Sequence, residues 1–252
     1  MLRWSTPGRA IRFWCTRASY SEADRTSGNG EKDGAGGLEQ LYPFLYARAD
    51  DVEKVLAEVG TSTAHKAREI VSLRESTITA LSDRMLDCRE AMACAFAAGA
   101  RLFSFGNRGS ATDAHAVTHL FLNPASGPPL PAISLAADIA VITALGNDIG
   151  FEMVFARQLS ALGRRGDIAP GISTSGNSRN LLPAFEAANR LGMMTIGIAG
   201  YDGGRMAEAG TVDFLFVVPS LSVHRIQEVQ TTVYRMLWEL TQAFLDPASE
   251  ER

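Results

Sequence analysis

The chain has 252 residues, of which 46% are hydrophobic and 21% are charged, and its formal net charge is −4 at pH 7. A chain of this kind can bury a core as one large domain or two small ones, and its slight acidity argues against direct nucleic-acid binding. No apolar run reaches the ~18 residues of a membrane span. Three cysteines, Cys15, Cys88 and Cys94, are too few for a disulfide framework. We therefore expect a cytoplasmic protein without a membrane partner.

The first 37 residues differ in composition from the rest of the chain. Arginines stand at Arg3, Arg9, Arg12 and Arg17 with no acidic residue up to position 20, and residues 21–37 are rich in Gly, Ser, Asp and Glu. Such a start is typical of a mitochondrial transit peptide. Because nothing else in the chain requires an organelle, we interpret residues 1–37 as a disordered tail or as sequence upstream of a misplaced start codon.

Residues 38–98 show helical periodicity. Apolar residues at 46, 52, 55, 56 and 59 predict one amphipathic helix that ends at Gly60. The second predicted helix ends at Gly99 and has an apolar face of Ile70, Leu73, Ile78, Leu81, Met85 and Met92. This pair exposes more apolar surface than one sheet face needs, which indicates an oligomerisation element. The alternative is a simple packing layer, and the sequence alone does not distinguish the two.

After Gly99 the pattern changes to alternating strands and helices, which predicts a domain over residues 99–247. The predicted strands are 101–105, 130–135, 168–173, 193–199 and 214–218. The predicted helices are 111–122, 137–145, 151–162, 180–191, a short one after Gly204, and 223–245. Short connections between such elements predict an α/β fold with a parallel five-stranded sheet covered by helices on both faces. Ligands bind such sheets at the carboxyl ends of the strands.

Two loops rich in glycine and polar residues lie at those carboxyl ends, at 106–110 and 171–178. The second carries four hydroxyl residues, Ser173, Thr174, Ser175 and Ser178, around Gly176 and precedes a predicted helix. Free N–H groups at a helix N-terminus and nearby hydroxyls can bind a phosphate without any cationic side chain. The alternative is an ordinary turn in which Ser178 caps the helix.

Four short motifs together resemble the sugar-isomerase (SIS) domain. They are Gly-Asn-Arg-Gly-Ser at 106–110, Gly-Asn-Asp-Ile-Gly-Phe at 146–151, Ser-Thr-Ser-Gly-Asn-Ser at 173–178 and Arg-Ile-Gln-Glu at 225–228. Within that superfamily they resemble the phosphoheptose isomerase branch, which includes the DnaA-initiator-associating protein. The resemblance covers about residues 45–245. It implies a flavodoxin-like sheet, a homotetramer with sites at subunit interfaces, and a phosphorylated sugar as ligand.

The resemblance also implies a role for each matching residue. Ser173, Thr174, Ser175 and Ser178 would hold the phosphate, and the sugar end would lie against Asn107, Gly109 and Ser110, with Asp148 nearby. At position 108, where most members of the family have Gly, this chain has Arg108, which adds a cation beside the ligand or fills part of the pocket.

The family's acid, base and metal-binding positions are mostly changed in this chain. Counted from Ser110 and Gln227, they fall on Ala116, Leu120, Gln227 and Arg235, of which only Gln227 is the expected residue. Arg cannot shuttle protons, because it stays charged. The sequence therefore predicts a sugar-phosphate-binding protein that resembles phosphoheptose isomerase but lacks most of the usual acid, base and metal positions. If it is active, we expect an aldose–ketose phosphosugar isomerase. The alternative is a non-catalytic regulatory or scaffold protein like the DnaA-initiator-associating protein.

A displaced zinc site is the remaining route to catalysis. His115 and His119 lie four residues apart on one helix face, and His224 precedes Gln227 by three positions. With Gln227 they are candidate zinc ligands, and His119, His224 and Gln227 are candidate catalytic residues. A shift of one residue turns a helical side chain by about 100°, so we expect polar surface histidines and no metal.

Overall fold

The computed structural model describes residues 49–245, with side chains from Glu53 onwards. In these residues the strands are β1 Leu102–Gly106, β2 Ala132–Ser134, β3 Ile168–Ser173, β4 Met194–Gly200 and β5 Phe214–Val218. The helices are α1 Ala49–Ala97, α2 Gly109–Leu122, α3 Ile139–Asp148, α4 Val154–Leu162, α5 Leu181–Leu191, α6 Gly204–Glu208 and α7 Val223–Leu245, with a short 3₁₀ helix at Phe151–Met153. The predicted tail at 1–37 lies outside the described residues. No described helix is long and apolar enough to cross a membrane.

The predicted pair of N-terminal helices is wrong, because α1 is one continuous helix of 49 residues. A glycine inside a helix costs only about 1 kcal/mol relative to alanine, and the helix-favouring residues on both sides of Gly60 carry the helix through it. The chain divides into two compact units between Ala57 and Glu58, and the sheet belongs to the unit that starts at Glu58.

The sheet is parallel throughout, and its strand order is β2-β1-β3-β4-β5. This order confirms the predicted flavodoxin-like fold, in which the chain reverses direction across the sheet between β1 and β3. Because β1 and β3 are hydrogen-bonded neighbours, with Gly106 opposite Ile172, the loops that follow them leave the sheet side by side.

Helices cover both faces of the sheet, so the strands are apolar on both sides. Leu102 belongs to a buried cluster that includes side chains of α1, α2 and α7. Phe103 and Phe105 belong to the cluster on the other face, with side chains of α4, α5 and α6. The predicted apolar face of the second N-terminal helix packs against the first cluster through Ile70, Leu73, Ile78, Leu81, Met85 and Met92.

A buried carboxylate joins the beginnings of the two central strands. Asp167 is 3% exposed and accepts hydrogen bonds from the backbone N–H of Arg101 at 2.8 Å and of Arg164 at 2.9 Å. The guanidinium of Arg101 donates a third at 2.7 Å. Hydrogen bonds to a charged partner contribute more than neutral ones, and this carboxylate holds β1 and β3 together at the edge opposite their carboxyl ends.

We expect Asp167→Asn to lower the free energy of unfolding by about 1.5–3 kcal/mol, because an amide has one acceptor oxygen for three donors. Urea unfolding of the variant and of Asp87→Asn measures this difference. Asp87 is an exposed carboxylate on α1 and makes no such contacts, so its variant controls for the loss of one charge. Equal stability of the two variants would contradict the structural role of Asp167.

Candidate functional site

A cavity of about 590 Å³ opens at the carboxyl ends of β1 and β3. Its described lining residues are Asn107, Arg108, Gly109, Ser110, Phe151, Ser173, Thr174, Ser175, Ser178, Val223 and Gln227. The two polar loops found in the sequence therefore share one cavity, together with the start of α7. Phe151 and Val223 add an apolar wall to which sequence reasoning assigned no role, although Phe151 belongs to one of the four motifs.

A reciprocal pair of amide hydrogen bonds joins the two loops. The side-chain amide of Asn107 donates to Oδ1 of Asn180 at 2.7 Å, and that of Asn180 donates back to Oδ1 of Asn107 at 2.9 Å. Asn180 is 2% exposed, so its amide needs a partner inside the protein. The pair fixes the loop after β1 against the loop before α5, across 73 positions of sequence.

The loop after β3 is organised by its own hydroxyl groups. The hydroxyl oxygens of Ser173 and Ser178 lie 3.0 Å apart, and Ser173 Oγ accepts the backbone N–H of Gly176 at 3.2 Å. The N-cap of α5 is Asn180, so Ser178 does not cap this helix as the alternative interpretation requires. Gly176 has φ +66° and packs against the backbone of Gly203, where a side chain has no room. We call residues 173–178 the hydroxyl loop.

Two glutamines of α7 contact the loops that form the cavity. The side-chain amide of Gln230, which is fully buried, donates to the carbonyl oxygens of Ser173 and Ile198, both at 3.2 Å. The side chain of Gln227 lies against Gly109, where a Cβ atom would collide with it. Sequence reasoning identified Gln227 but missed Gln230. The feature that could have indicated Gln230 is its position one helical turn after Gln227.

Arg108 is the only charged residue among the described lining residues of the cavity. Its backbone has φ 52° and ψ −123°, a conformation that glycine adopts freely and other residues rarely do. Backbone conformations of this kind cost about 1–3 kcal/mol and are concentrated at functional sites.

The structure does not place Asp148 in the cavity. The predicted loop at 146–150 is wrong in its first half, because α3 continues to Asp148. The carboxylate of Asp148 instead accepts a hydrogen bond from the side chain of Asn147 at 3.1 Å. Asp148 is therefore not among the described lining residues of this cavity, and its role beside the sugar stays a prediction.

The three histidines that are candidate zinc ligands lie on the surface. His115 and His119 are exposed on α2, His224 is exposed at the start of α7, and of the four candidate ligands only Gln227 lines the cavity. Within residues 49–245 no three His, Cys, Asp or Glu side chains are grouped so that they could hold a metal ion. Zinc needs convergent ligands about 2.0–2.1 Å from the metal, and the four candidates of a single described chain are not gathered in this cavity.

The changed positions to which the resemblance assigns acid, base and metal-binding roles lie in the hydrophobic packing of α2 or on the surface of α7. Ala116 and Leu120 are half-buried and pack against the hydrophobic cluster beneath α2. Arg235 is exposed on α7. Ala116 and Leu120 carry no group that can exchange a proton, so these two positions contribute packing only.

Asp113 is a half-buried carboxylate between α2 and α7, one helical turn after Gly109. Burial raises its pKa to about 6, and a hydrogen bond from Tyr234 opposes that rise. Its buried Oδ2 atom has no hydrogen-bond partner among the described residues. The carboxyl group is therefore easier to protonate than an ordinary aspartate, although it does not line the cavity.

Comparisons with known proteins agree on one family. The SIS domain model matches residues 67–200. The phosphoheptose isomerase of Nitratidesulfovibrio vulgaris is 43% identical over 71% of this chain and 86% of its own length. That of Aquifex aeolicus is 38% identical over 69% of this chain and 92% of its own length. The solved phosphoheptose isomerase of Neisseria gonorrhoeae superposes with a TM-score of 0.68 at 32% identity, covering 73% of this chain and 99% of that one.

The fold and the cavity at its switch point thus define an α/β protein of the SIS type. The chain belongs to the SIS domain family and, within it, to the phosphoheptose isomerase branch. The resemblance read from the four sequence motifs is confirmed.

The raised pKa of Asp113 predicts a pH-dependent stability. The folded state holds this proton more tightly than the unfolded state, so the group's contribution to stability grows as the pH falls from about 6 towards 4 and is lost as the pH rises through about 6. Asp113→Asn removes that dependence. The melting temperature of the variant minus that of the unmodified protein should be larger near pH 7.5 than near pH 5.

Thermal unfolding at the two pH values measures this difference, with Asp83→Asn as the control. Asp83 is exposed on α1, so its variant should show little change between the two pH values. A constant difference for Asp113→Asn would contradict the raised pKa.

Proposed function

We propose that the protein binds a phosphorylated sugar in the cavity at the carboxyl ends of β1 and β3, with the phosphate against the hydroxyl loop. The observation that carries the proposal is the position of this loop. Ser175 and Ser178 are half-buried at the cavity wall, and the loop leads directly into α5. Hydroxyl donors beside a helix N-terminus favour an anion with several acceptor oxygens.

The rest of the sugar would extend towards the loop after β1. Asn107, Gly109 and Ser110 offer polar contacts there, Gln227 offers an amide, and Phe151 offers an apolar ring. A pocket of this kind combines apolar walls with a few polar groups that orient the ligand.

We propose further that binding is not followed by isomerisation. Moving a proton between neighbouring carbons of a sugar requires a base and an acid with pKa values near the working pH. Among the described lining residues there is no Asp, Glu, His, Cys, Lys or Tyr, and the guanidinium of Arg108 stays protonated. The chain would then act as a regulatory or scaffold protein that responds to a sugar phosphate, without zinc.

A working aldose–ketose isomerase is the second candidate function. Relatives named phosphoheptose isomerase are 38–44% identical to this chain, and Asp113, with its pKa of about 6, lies beside the cavity residues of α2. Conversion of sedoheptulose 7-phosphate into an aldoheptose 7-phosphate, with or without zinc, would favour this candidate. Loss of that conversion in Asp113→Asn would identify the base.

The assembly we propose is a homotetramer. Its support is the family and the apolar side chains that a single described chain leaves exposed on α1, among them Val59, Val71 and Leu86. Sedimentation of the purified protein measures the number of subunits.

We expect the double variant Ser175→Ala and Ser178→Ala to bind sedoheptulose 7-phosphate much more weakly than the unmodified protein. Each lost hydrogen bond to a phosphate oxygen costs about 1.5–3 kcal/mol of binding free energy. Isothermal titration calorimetry measures the affinity. The melting temperature in ligand-free buffer should fall only slightly, because the variant loses just two neutral hydrogen bonds of half-buried hydroxyls, that of Ser178 with Ser173 and that of Ser175 with the backbone N–H of Asn177.

The matched control removes two hydroxyls elsewhere. Ser76 and Ser82 are exposed on α1, where each donates to a carbonyl of its own helix. Their double alanine variant should keep the full affinity. Unchanged affinity in the Ser175 and Ser178 variant would contradict the proposed phosphate site.

A further inference from the structure

Arg108 gives the wall of the cavity its single full charge. The other described lining residues are neutral, and none is acidic. The guanidinium therefore has no counter-charge on the cavity wall, and an anionic group of a ligand would find no repulsion there.

Arg108 also has no structural partner among residues 49–245. Three described arginines form ion pairs, as Arg101 does with Asp167 at 2.7 Å and Arg225 with Glu228 at 2.8 Å. Even the exposed Arg179 lies 3.4 Å from Glu152. Arg108 is exposed, and its side chain makes no ion pair or hydrogen bond with a described residue, so its guanidinium is free to contact a ligand.

The backbone conformation of Arg108 also supports a binding role for its side chain. A residue with φ 52° and ψ −123° is strained unless it is glycine, so glycine would fit the turn before α2 better than arginine does. An arginine at such a position opposes stability. A contribution to binding from its side chain would offset that disadvantage.

The hydroxyl loop does not need Arg108 for its phosphate. That loop follows β3 and supplies four hydroxyls before the N-terminus of α5, which suffices for one phosphate without a cation. Arg108 belongs to the other loop of the same cavity, the one after β1. A guanidinium there can form two parallel hydrogen bonds with a second phosphate or a carboxylate.

We propose that the ligand of this protein is a phosphorylated sugar with a second anionic group, and that Arg108 binds this second group. The inference rests on the proposed function and adds the ligand class to it. Arg108 is then the residue that sets specificity, because it favours doubly anionic sugars over monophosphates.

The test compares sedoheptulose 7-phosphate with sedoheptulose 1,7-bisphosphate by calorimetry. The unmodified protein should bind the bisphosphate roughly tenfold or more tightly, because one charged hydrogen-bonding contact is added. Arg108→Met should lose that preference and keep its affinity for the monophosphate, and Arg108→Lys should retain part of the preference. A second comparison, of 6-phosphogluconate with glucose 6-phosphate, shows whether a carboxylate serves as well as a phosphate.

Stability separates the role of the side chain from that of the backbone. Arg108→Gly removes both the charge and the strain, so it should lose the preference for the bisphosphate and raise the melting temperature of the ligand-free protein. Arg108→Met keeps the strained backbone and should not raise the melting temperature. Arg190→Gln, on the exposed end of α5, controls for the change in net charge and should leave both affinities unchanged.

Two results would overturn the inference alone. One is equal affinity of the unmodified protein for the two sedoheptulose phosphates. The other is an equal loss of affinity for both compounds in Arg108→Met, which would assign Arg108 to the first phosphate. Binding of neither compound by the unmodified protein would overturn the proposed function as well.

Discussion

The site depends on the hydrogen-bonded contact between β1 and β3. Because these strands are parallel neighbours at the point where the chain changes direction across the sheet, two loops about seventy residues apart in sequence leave the same edge together. The reciprocal amide pair of Asn107 and Asn180 then fixes one loop against the other. Gln230 holds the ends of β3 and β4 from the side of α7. The cavity is the space that these contacts leave between the loops.

The sequence predicted the sheet well, because its strands are apolar runs bounded by glycines and polar residues. The bounds of β3, β5 and α7 agree with the predicted ranges. Local signals for the end of a helix were wrong at Gly60 inside α1 and at 146–148 at the end of α3, where the helix continues in spite of a glycine. Side-chain pairs such as Asn107 with Asn180 could not be predicted from the sequence, since nothing in the local sequence around either residue indicates its partner.

Among its described lining residues, the cavity combines several hydroxyl groups with no Asp, Glu, His, Cys, Lys or Tyr side chain. The hydroxyl loop and its support from α7 suit the sugar phosphate that we propose as ligand, and the chain belongs to a family whose relatives are named phosphoheptose isomerases. On α2, however, Ala116 and Leu120 pack into the core and His115 and His119 lie on the exposed side. The proposal of binding without turnover follows from this combination, and Arg108 narrows the ligand to a doubly anionic sugar.

Nuclear magnetic resonance of sedoheptulose 7-phosphate in heavy water, with an equal amount of protein, tests binding and turnover in one sample. Isomerisation of a ketose removes a proton from its first carbon, and in heavy water that carbon gains deuterium. The account predicts a phosphorus signal broadened or shifted by the protein, with the carbon-bound protons unchanged. An unperturbed phosphorus signal, or deuterium on the first carbon in the presence of protein alone, would contradict it.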